Sequence, residues 1–462
     1  MGLLAAAVAA AAVGGLVHPA QAHADVCSSL ASNGTTATLC VTMLTPQNGT
    51  PKSPVPGKVA KVHGATTVAA TVTWSPGPPQ PGEKRGCDGQ RITPSGCVTW
   101  YVNGAYTLTE LFPSEPVASR SYQWTWHTSQ YANGSETLEA RIGLNGSLIT
   151  VDVPVTVKNG KPGVLVSPIK NRGLIPKFSQ TTPFVVAALG DGPSGSPQTQ
   201  DVADMVESWS PNMLLYLGDV YQRGMPEEFL NFYDPVYGPL ADITAPTIGN
   251  HEYKQLKDGS GYFWYWNFPE GSPVKKRGGG GWYSFNAGDW HIISLNSNVG
   301  MSLNPPTPQG QWLQADLAAD EAARPLSTHP CTLAFWHAPR FSDISLRKPS
   351  TSYLWNQLWP YHVDVILNGH SHVYERWQPL TNGGVVTDQA HGPTEFVVGT
   401  GGNVLAENWQ TNDSRSAFRQ NTRWGALQLT LYPDHAHYEY WAAATGGGTT
   451  QDLLDQGDIQ CH

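Results

Sequence analysis

The sequence predicts an all-β sandwich over residues 25–159 and an α/β region over residues 183–462, joined by a linker at 160–182. Before residue 160, apolar residues recur with period two and Asn-Gly pairs punctuate them, as in short antiparallel strands joined by tight turns. After residue 183, short apolar runs alternate with segments of helical period, the pattern of strands exchanging with helices. Between the two, Lys158 to Thr182 is rich in Gly, Pro, Lys and Ser and holds two short apolar runs. This is the composition of a linker that packs partly against its neighbours.

Of the 462 residues, 40% are hydrophobic and 14% charged, with 17 Trp and 37 Pro. That is a globular composition rich in loops and aromatics, long enough for about two to four domains. The formal net charge is -9 and no run of five Lys or Arg occurs, which argues against a nucleic-acid surface. Leu3 to Val17 is an uncharged Ala/Val/Leu run ending at Ala20-Gln21-Ala22-His23-Ala24. It predicts a secretory signal peptide over 1–24, cut after Ala22 or Ala24, although no Lys or Arg precedes it. No later segment has eighteen uninterrupted apolar residues, so no transmembrane segment is expected. The six cysteines are Cys27, Cys40, Cys87, Cys97, Cys331 and Cys461. Behind a signal peptide, an even count predicts disulfides and an extracellular location. Proximity favours Cys27–Cys40 and Cys87–Cys97, which leaves Cys331 with Cys461.

In the first region, Ala70 to Trp74, Cys97 to Val102 and Thr137 to Ile142 alternate or nearly so. Asn103-Gly104, Asn133-Gly134 and Asn145-Gly146 supply the turns, and the spacing predicts a sandwich. Trp100-Tyr101-Val102-Asn103-Gly104 and Tyr122-Gln123-Trp124-Thr125-Trp126, followed by Ala132-Asn133-Gly134-Ser135-Glu136, resemble the immunoglobulin-like modules of secreted bacterial enzymes. That resemblance implies contact with a cell wall or polysaccharide. The aromatics themselves read better as core than as a glycan site.

In the second region, Val202, Met205, Val206 and Trp209 mark one face of a helix. Pro226-Glu227-Glu228 opens another, with Pro at its first position and acids in its first turn. Trp282 to Asn286 and Trp290 to Leu295 read as a hairpin. Gln311 to Leu317 and Tyr353 to Leu358 read as helices, and Glu395 to Val398 and Ala426 to Leu431 as late strands.

Five apolar runs in this region each end in a residue of metal-ligand type. Phe184 to Gly190 delivers Asp191, and Met213 to Gly218 delivers Asp219. Ala245 to Gly249 delivers Asn250-His251-Glu252, and Cys331 to Trp336 delivers His337. Val363 to Asn368 leads into Gly369-His370-Ser371-His372. In open α/β sheets, ligands gather beyond the carboxyl ends of strands, so this order points to one site. Two histidines at i and i+2 on a tight turn reach two different ions more readily than they share one.

Gly-Asp, Gly-Asp, Gly-Asn-His-Glu, His and Gly-His-x-His, in this order, resemble the calcineurin-like metallophosphoesterases, and most closely the purple acid phosphatases and their secreted bacterial relatives. The resemblance runs from Phe184 to the C-terminus. It implies an α/β sandwich of two packed mixed sheets flanked by helices, and two metal ions drawn from iron, zinc and manganese. One ion would take Asp191, Asp219 and His372; the other would take Asp219, Asn250, His337 and His370. Asp219 would bridge them, and His251 would meet the phosphoryl oxygen or the leaving group. Glu252 would orient a ligand histidine, and Arg340 and Arg376 would either touch substrate phosphate or form structural ion pairs. The first block lacks the Asp-x-His of many relatives, since Asp191 is followed by Gly192-Pro193. Purple acid phosphatases replace that histidine with the tyrosine of Gly-Asp-x-x-Tyr. Here Gly218-Asp219-Val220-Tyr221 places the tyrosine one position early, so Tyr221 either coordinates or packs, and the shifted register favours packing. The function implied is a secreted phosphomonoesterase acting on small phosphate esters by attack of a metal-bound hydroxide. A phosphodiesterase or nucleotidase of the same fold is the alternative, and an inactive wall-binding protein a more distant one.

Overall fold

A computed structural model describes residues 26–32, 35–44, 60–75, 85–87, 91–93, 97–111, 119–159, 165–170, 173, 176, 183–269, 274, 280–299, 307–324, 331–344, 348–444 and 450–462. The expected signal peptide lies outside the described residues.

The N-terminal region is built from strands. They are β1 (Val26–Ser32), β2 (Thr35–Leu44), β3 (Ala60–Val62), β4 (Ala65–Ser75), β5 (Arg85–Cys87) and β6 (Arg91–Thr93). There follow β7 (Cys97–Val102), β8 (Ala105–Leu111), β9 (Ser119–His127), β10 (Gly134–Leu144) and β11 (Ser147–Val157). One sheet has the order β1-β2-β4-β9; the other runs β3-β11-β10-β5-β6, with β7 pairing β10 and β8. The two sheets share one core, in which Val72, Trp74, Trp100, Trp124, Trp126, Leu138 and Val155 are buried. The alternation read in the sequence is this inward row. Asn103-Gly104 and Asn145-Gly146 close the β7–β8 and β10–β11 hairpins with both residues of each turn at positive φ. Asn133-Gly134 does not close a hairpin. β9 belongs to one sheet and β10 to the other, so the chain must cross between sheets there. Asn133 is bonded across to Asn159 instead. With its Trp side chains inside, the module shows no aromatic platform for a glycan at Trp100, Trp124 or Trp126.

The second region holds β12 (Phe184–Leu189), β13 (Met213–Tyr216), β14 (Thr244–Pro246), β15 (Tyr283–Ala287), β16 (Trp290–Ser294), β17 (Cys331–Phe335) and β18 (Val365–Asn368). It continues with β19 (Tyr374–Trp377), β20 (Thr394–Val398), β21 (Ser416–Gln420), β22 (Gly425–Leu431), β23 (His435–Ala442) and β24 (Asp452–Gln460). The longer helices are α1 (Pro197–Ser208), α2 (Ser260–Trp266), α3 (Pro308–Ala323) and α4 (Ser352–Leu358). Two mixed sheets, β14-β13-β12-β22-β23-β24 and β15-β16-β17-β18-β20-β19-β21, share a large core. Leu189, Leu215, Phe335, Leu367 and Leu429 lie in it, so the inner faces of both sheets are apolar. A second cluster packs Leu313 and Leu317 of α3 and Leu354 of α4 against Ala334 and Ile366 on the outer face of the second sheet. β12, β13 and β14 are parallel in the first sheet; β16, β17, β18 and β20 are parallel in the second. The carboxyl ends of five of these strands deliver the residues singled out from the sequence.

Two residues between the regions bond to the helix Ser260–Trp266 of the second. Ser167 donates to the Tyr265 carbonyl at 2.5 Å, and the Trp264 indole donates to that of Leu165 at 2.8 Å. Cys27–Cys40 clips β1 to β2, and Cys331–Cys461 ties the start of β17 to the end of the described chain. Cys97 is disulfide-bonded too, while the side chain of Cys87, its expected partner, lies outside the described residues.

Candidate metal centre

Each strand end turns sharply into the site. Asp191, Asp219 and His370 all sit at positive φ, near 60°, 66° and 68°. Non-glycine residues seldom adopt this left-handed conformation, and they gather at functional sites where the surroundings over-determine them. The Gly preceding each ligand has a steric reason. A Cβ on Gly249 would collide with the Asp219 carboxylate, and Gly218 itself needs φ near 95°.

Two adjoining donor sets result. In the first, the Tyr221 hydroxyl lies 2.6 Å from Asp191 Oδ1 and 2.9 Å from His372 Nε2, and Asp191 and His372 are 3.5 Å apart. In the second, His337 Nε2 lies 3.2 Å from Asp219 Oδ2, 3.1 Å from Asn250 Oδ1 and 3.2 Å from His370 Nδ1. Ligand atoms of Asp219, His337 and His370 all fall within 4.8 Å of one another, close enough to hold one ion. Tyr221 is therefore at the site and not turned away into the core, despite its early position. Its side chain completes the first set, in which no histidine follows Asp191.

The histidines are aimed by backbone carbonyls. Nδ1 of His337 bonds the Leu217 carbonyl at 2.8 Å, that of His372 the Val404 carbonyl at 2.7 Å, and that of His251 the Gln222 carbonyl at 2.6 Å. Each carbonyl accepts the Nδ1 proton and leaves Nε2 facing inward, the arrangement that orients metal-binding imidazoles.

The electrostatics tell the same story. Burial raises the Asp219 carboxyl, but His337, His251 and His370 around it hold it well below the usual carboxylate range. Burial lowers the His337 imidazole, yet Asp219 and Asp191 lift it to about 9. His370 is pushed down to about 4 by burial and by His337. Without metal, then, one proton on His337 Nε2 stands among a carboxylate, an amide oxygen and an imidazole nitrogen. The lone pairs converging there fit a cation, and hard oxygens with imidazoles suit zinc, iron or manganese. Tyr221 is held well above the ordinary phenol range by burial and by Asp191, so a phenolate there requires a compensating positive charge.

His251 stands at the mouth, its Nε2 3.9 Å from Asp219 Oδ2. Burial, with Lys254 adding to it, lowers its pKa to about 4. The Lys254 ammonium donates to Nε2 at 2.8 Å, a contact the sequence did not announce. Asn403 was also missed. It is fully buried in the Gly401-Gly402-Asn403 turn after β20, its backbone N–H donates to the Asp191 carbonyl at 3.0 Å, and its side chain lies close enough to Tyr221 to work against the rise in the phenol's pKa. The Gly-Thr-Gly-Gly-Asn run that carries it was the available signal.

Glu252 takes a different role from the expected one, and both arginines take structural contacts, one of the two alternatives open to them. Glu252 does not orient a histidine. The turn over 251–253 swings its carboxylate beneath the loops, where it accepts from the Val220 N–H at 2.7 Å and the Gly249 N–H at 2.8 Å. Arg376 is taken up by Asp455, at 2.8 and 3.0 Å, because β19 carries it away from the site. Arg340 donates to the Asn382 carbonyl and lies over Phe341 and Trp355, again a structural role.

Residues 184–374 match the calcineurin-like phosphoesterase family. Among curated proteins, the chain is similar to purple acid phosphatase 1 of Ipomoea batatas, 25% identical over 60% of this chain and 63% of that protein. It is also similar to purple acid phosphatase 15 of Arabidopsis thaliana, 26% identical over 48% of this chain and 45% of the relative. Another relative is the Fe(3+)-Zn(2+) purple acid phosphatase 12 of Arabidopsis thaliana, 23% identical over 60% of this chain and 64% of the relative. The chain thus spans less than two thirds of the length of these relatives. Among solved structures, a purple acid phosphatase from yellow lupin (Lupinus luteus) seeds aligns with a TM-score of 0.50 at 15% identity, over 92% of this chain and 79% of that one, which shows a shared fold. The chain carries a calcineurin-like phosphoesterase domain, and its relatives are purple acid phosphatases.

Proposed function

We propose that this chain is a secreted, metal-dependent phosphomonoesterase of the acid phosphatase kind. The observation that supports it is the pair of adjoining donor sets at the strand ends. In this reading Asp191, Tyr221 and His372 hold one ion, Asn250, His337 and His370 hold the other, and Asp219 serves both. Ions held there supply Lewis acidity toward the phosphoryl oxygens and water of lowered pKa, about 7 in favourable sites.

The chain's own residues do the rest. Asp191, Asp219 and His370 are locked by their turns, so the donors meet substrate already oriented. Lys254 and His251 together hold a proton beside the opening, where a phosphoryl oxygen or a leaving alkoxide can accept it. The carbonyl of Gln222 keeps the His251 ring from rotating away. The N-terminal region is in this reading an immunoglobulin-like domain ending near residue 159, and the disulfides fit an oxidising, extracellular compartment.

Purified protein should hydrolyse an aryl phosphate faster than the matching aryl diester, and a chelator should abolish the reaction. Asp219→Ala and His370→Ala should lose both activity and bound metal. Full activity in either variant would falsify the assignment, and faster turnover of the diester would move it to a phosphodiesterase.

A further inference from the structure

The strand-rich N-terminal region touches the catalytic region at the segment that carries Tyr221 and Gln222. The Tyr106 hydroxyl on β8 donates to Glu228 Oε1 at 2.5 Å. Glu228 is fully buried, and its carboxylate also accepts from three backbone N–H groups of one loop: that of Gln222 at 2.7 Å, of Arg223 at 2.9 Å and of Met225 at 3.0 Å. Arg223 lies over the Tyr106 ring, 4.0 Å from its centroid. The peptide that Glu228 grips carries the Gln222 carbonyl, which holds His251 Nδ1 at 2.6 Å, and follows Tyr221 directly.

Beside this line the two regions are joined by separate contacts. Glu227 accepts from the His127 backbone N–H at 3.3 Å, faces His127 Nδ1 at 2.7 Å and accepts from Gln130 Nε2 at 2.6 Å. Asn231 accepts from the Thr125 N–H at 2.9 Å, and Phe232 packs into the N-terminal core. These contacts dock the regions but do not reach the Gln222 peptide.

We propose that the N-terminal region is a working part of the metal site, with Tyr106 a positioning residue that sets the Gln222–Met225 backbone through Glu228 and so aims His251 and Tyr221. The physical reason is acceptor geometry. A buried carboxylate shared among several N–H groups is free to swing toward whichever donors remain. The Tyr106 hydroxyl supplies the one side-chain donor among them, on the same oxygen that takes the Gln222 N–H, and fixes its plane. Without it, Glu228 and the peptide it grips gain a second arrangement, and the carbonyl under His251 moves with them. Arg223, stacked on the same ring, ties the next residue to the same anchor.

The inference rests on the proposed phosphoesterase reading for its kinetic arm and is independent of it for its structural arm. Three proteins are compared in full length: wild type, Tyr106→Phe and His127→Ala. Backbone hydrogen exchange is followed by mass spectrometry on the peptide spanning residues 219–226, and kcat and KM are measured on an aryl phosphate. Tyr106→Phe should speed exchange in that peptide and lower kcat about 10- to 100-fold, the range seen when partners of site residues are removed. KM and bound metal should stay near wild type. His127→Ala, which loosens docking elsewhere, should leave exchange in that peptide unchanged. Unchanged exchange in Tyr106→Phe overturns the proposal, and so does an equal effect in His127→Ala, which would mean that docking alone matters. If wild type is inactive, the phosphoesterase reading fails while the exchange comparison still decides the role of Tyr106.

Discussion

Removing the Glu252 carboxylate should loosen the metal centre without touching any ligand. Glu252 is buried, 1% exposed, and its two oxygens accept one N–H from each of two ligand loops: Val220, next to Asp219, and Gly249, next to Asn250. Burial and the neighbouring Asp219 push its carboxyl up to about 8, and glutamine keeps the side chain's size and one acceptor oxygen. The effect of Glu252→Gln is then one of hydrogen-bond geometry. Its amide oxygen can accept one of the two N–H groups, and the other faces an NH2. A buried N–H left without an acceptor costs about 1–3 kcal/mol. Glu252→Ala leaves both unpaired, roughly 2–6 kcal/mol. If that cost falls on the spacing of the two loops, metal affinity drops about tenfold per 1.4 kcal/mol. Glu252→Gln should thus weaken metal binding by about one to two orders of magnitude, and Glu252→Ala more. The assay is competition with a chromophoric chelator, with denaturant unfolding of the metal-free proteins alongside. Wild-type affinity and turnover within twofold in Glu252→Ala, at unchanged stability, would refute the bracing role.

The Tyr221 hydroxyl lies beside Asp191 and His372, so a phenolate-bound ferric ion should give a visible absorption band that Tyr221→Phe removes. A colourless iron-containing wild type would count against coordination by Tyr221. The Cys331–Cys461 disulfide spans 130 residues, for which chain entropy gives about 5 kcal/mol as an upper guide. The double variant Cys331→Ala/Cys461→Ala should unfold at clearly lower urea concentration, and an unshifted midpoint would contradict this. Glu395 is buried and its carboxyl is raised from 4.5 to about 8, chiefly by burial. Between those pH values the unfolded chain has released a proton that the folded chain keeps, so this group lowers stability as pH rises through that window. The stability of Glu395→Gln relative to wild type should therefore increase between about pH 5 and pH 8; an equal difference at both values would sink the argument.

The sequence by itself placed the candidate ligands at the strand ends, because a turn after a buried strand leaves a local record. An apolar run, a glycine with no room for a Cβ and a polar residue forced to positive φ are all contained within a few positions, as at Gly218-Asp219 and Gly369-His370. The change from strands alone to strands alternating with helices was legible for the same reason, since strand and helix periods are local. What the tertiary structure decided are the relations between loops far apart in the chain. Tyr221 reaches Asp191 and His372 because three separate strand ends converge, which no register count within one loop can predict. Glu252 braces backbone and not a histidine because its short helical turn points it under the neighbouring loop. Arg376, four residues beyond His372 and near enough in sequence to reach the centre on a turn, is carried off by β19 to Asp455. Lys254 and Tyr106 carried no motif, and Asn403 only the glycine run before it, since a hydrogen bond between residues of different loops depends on where folding brings them and leaves no periodicity in either segment.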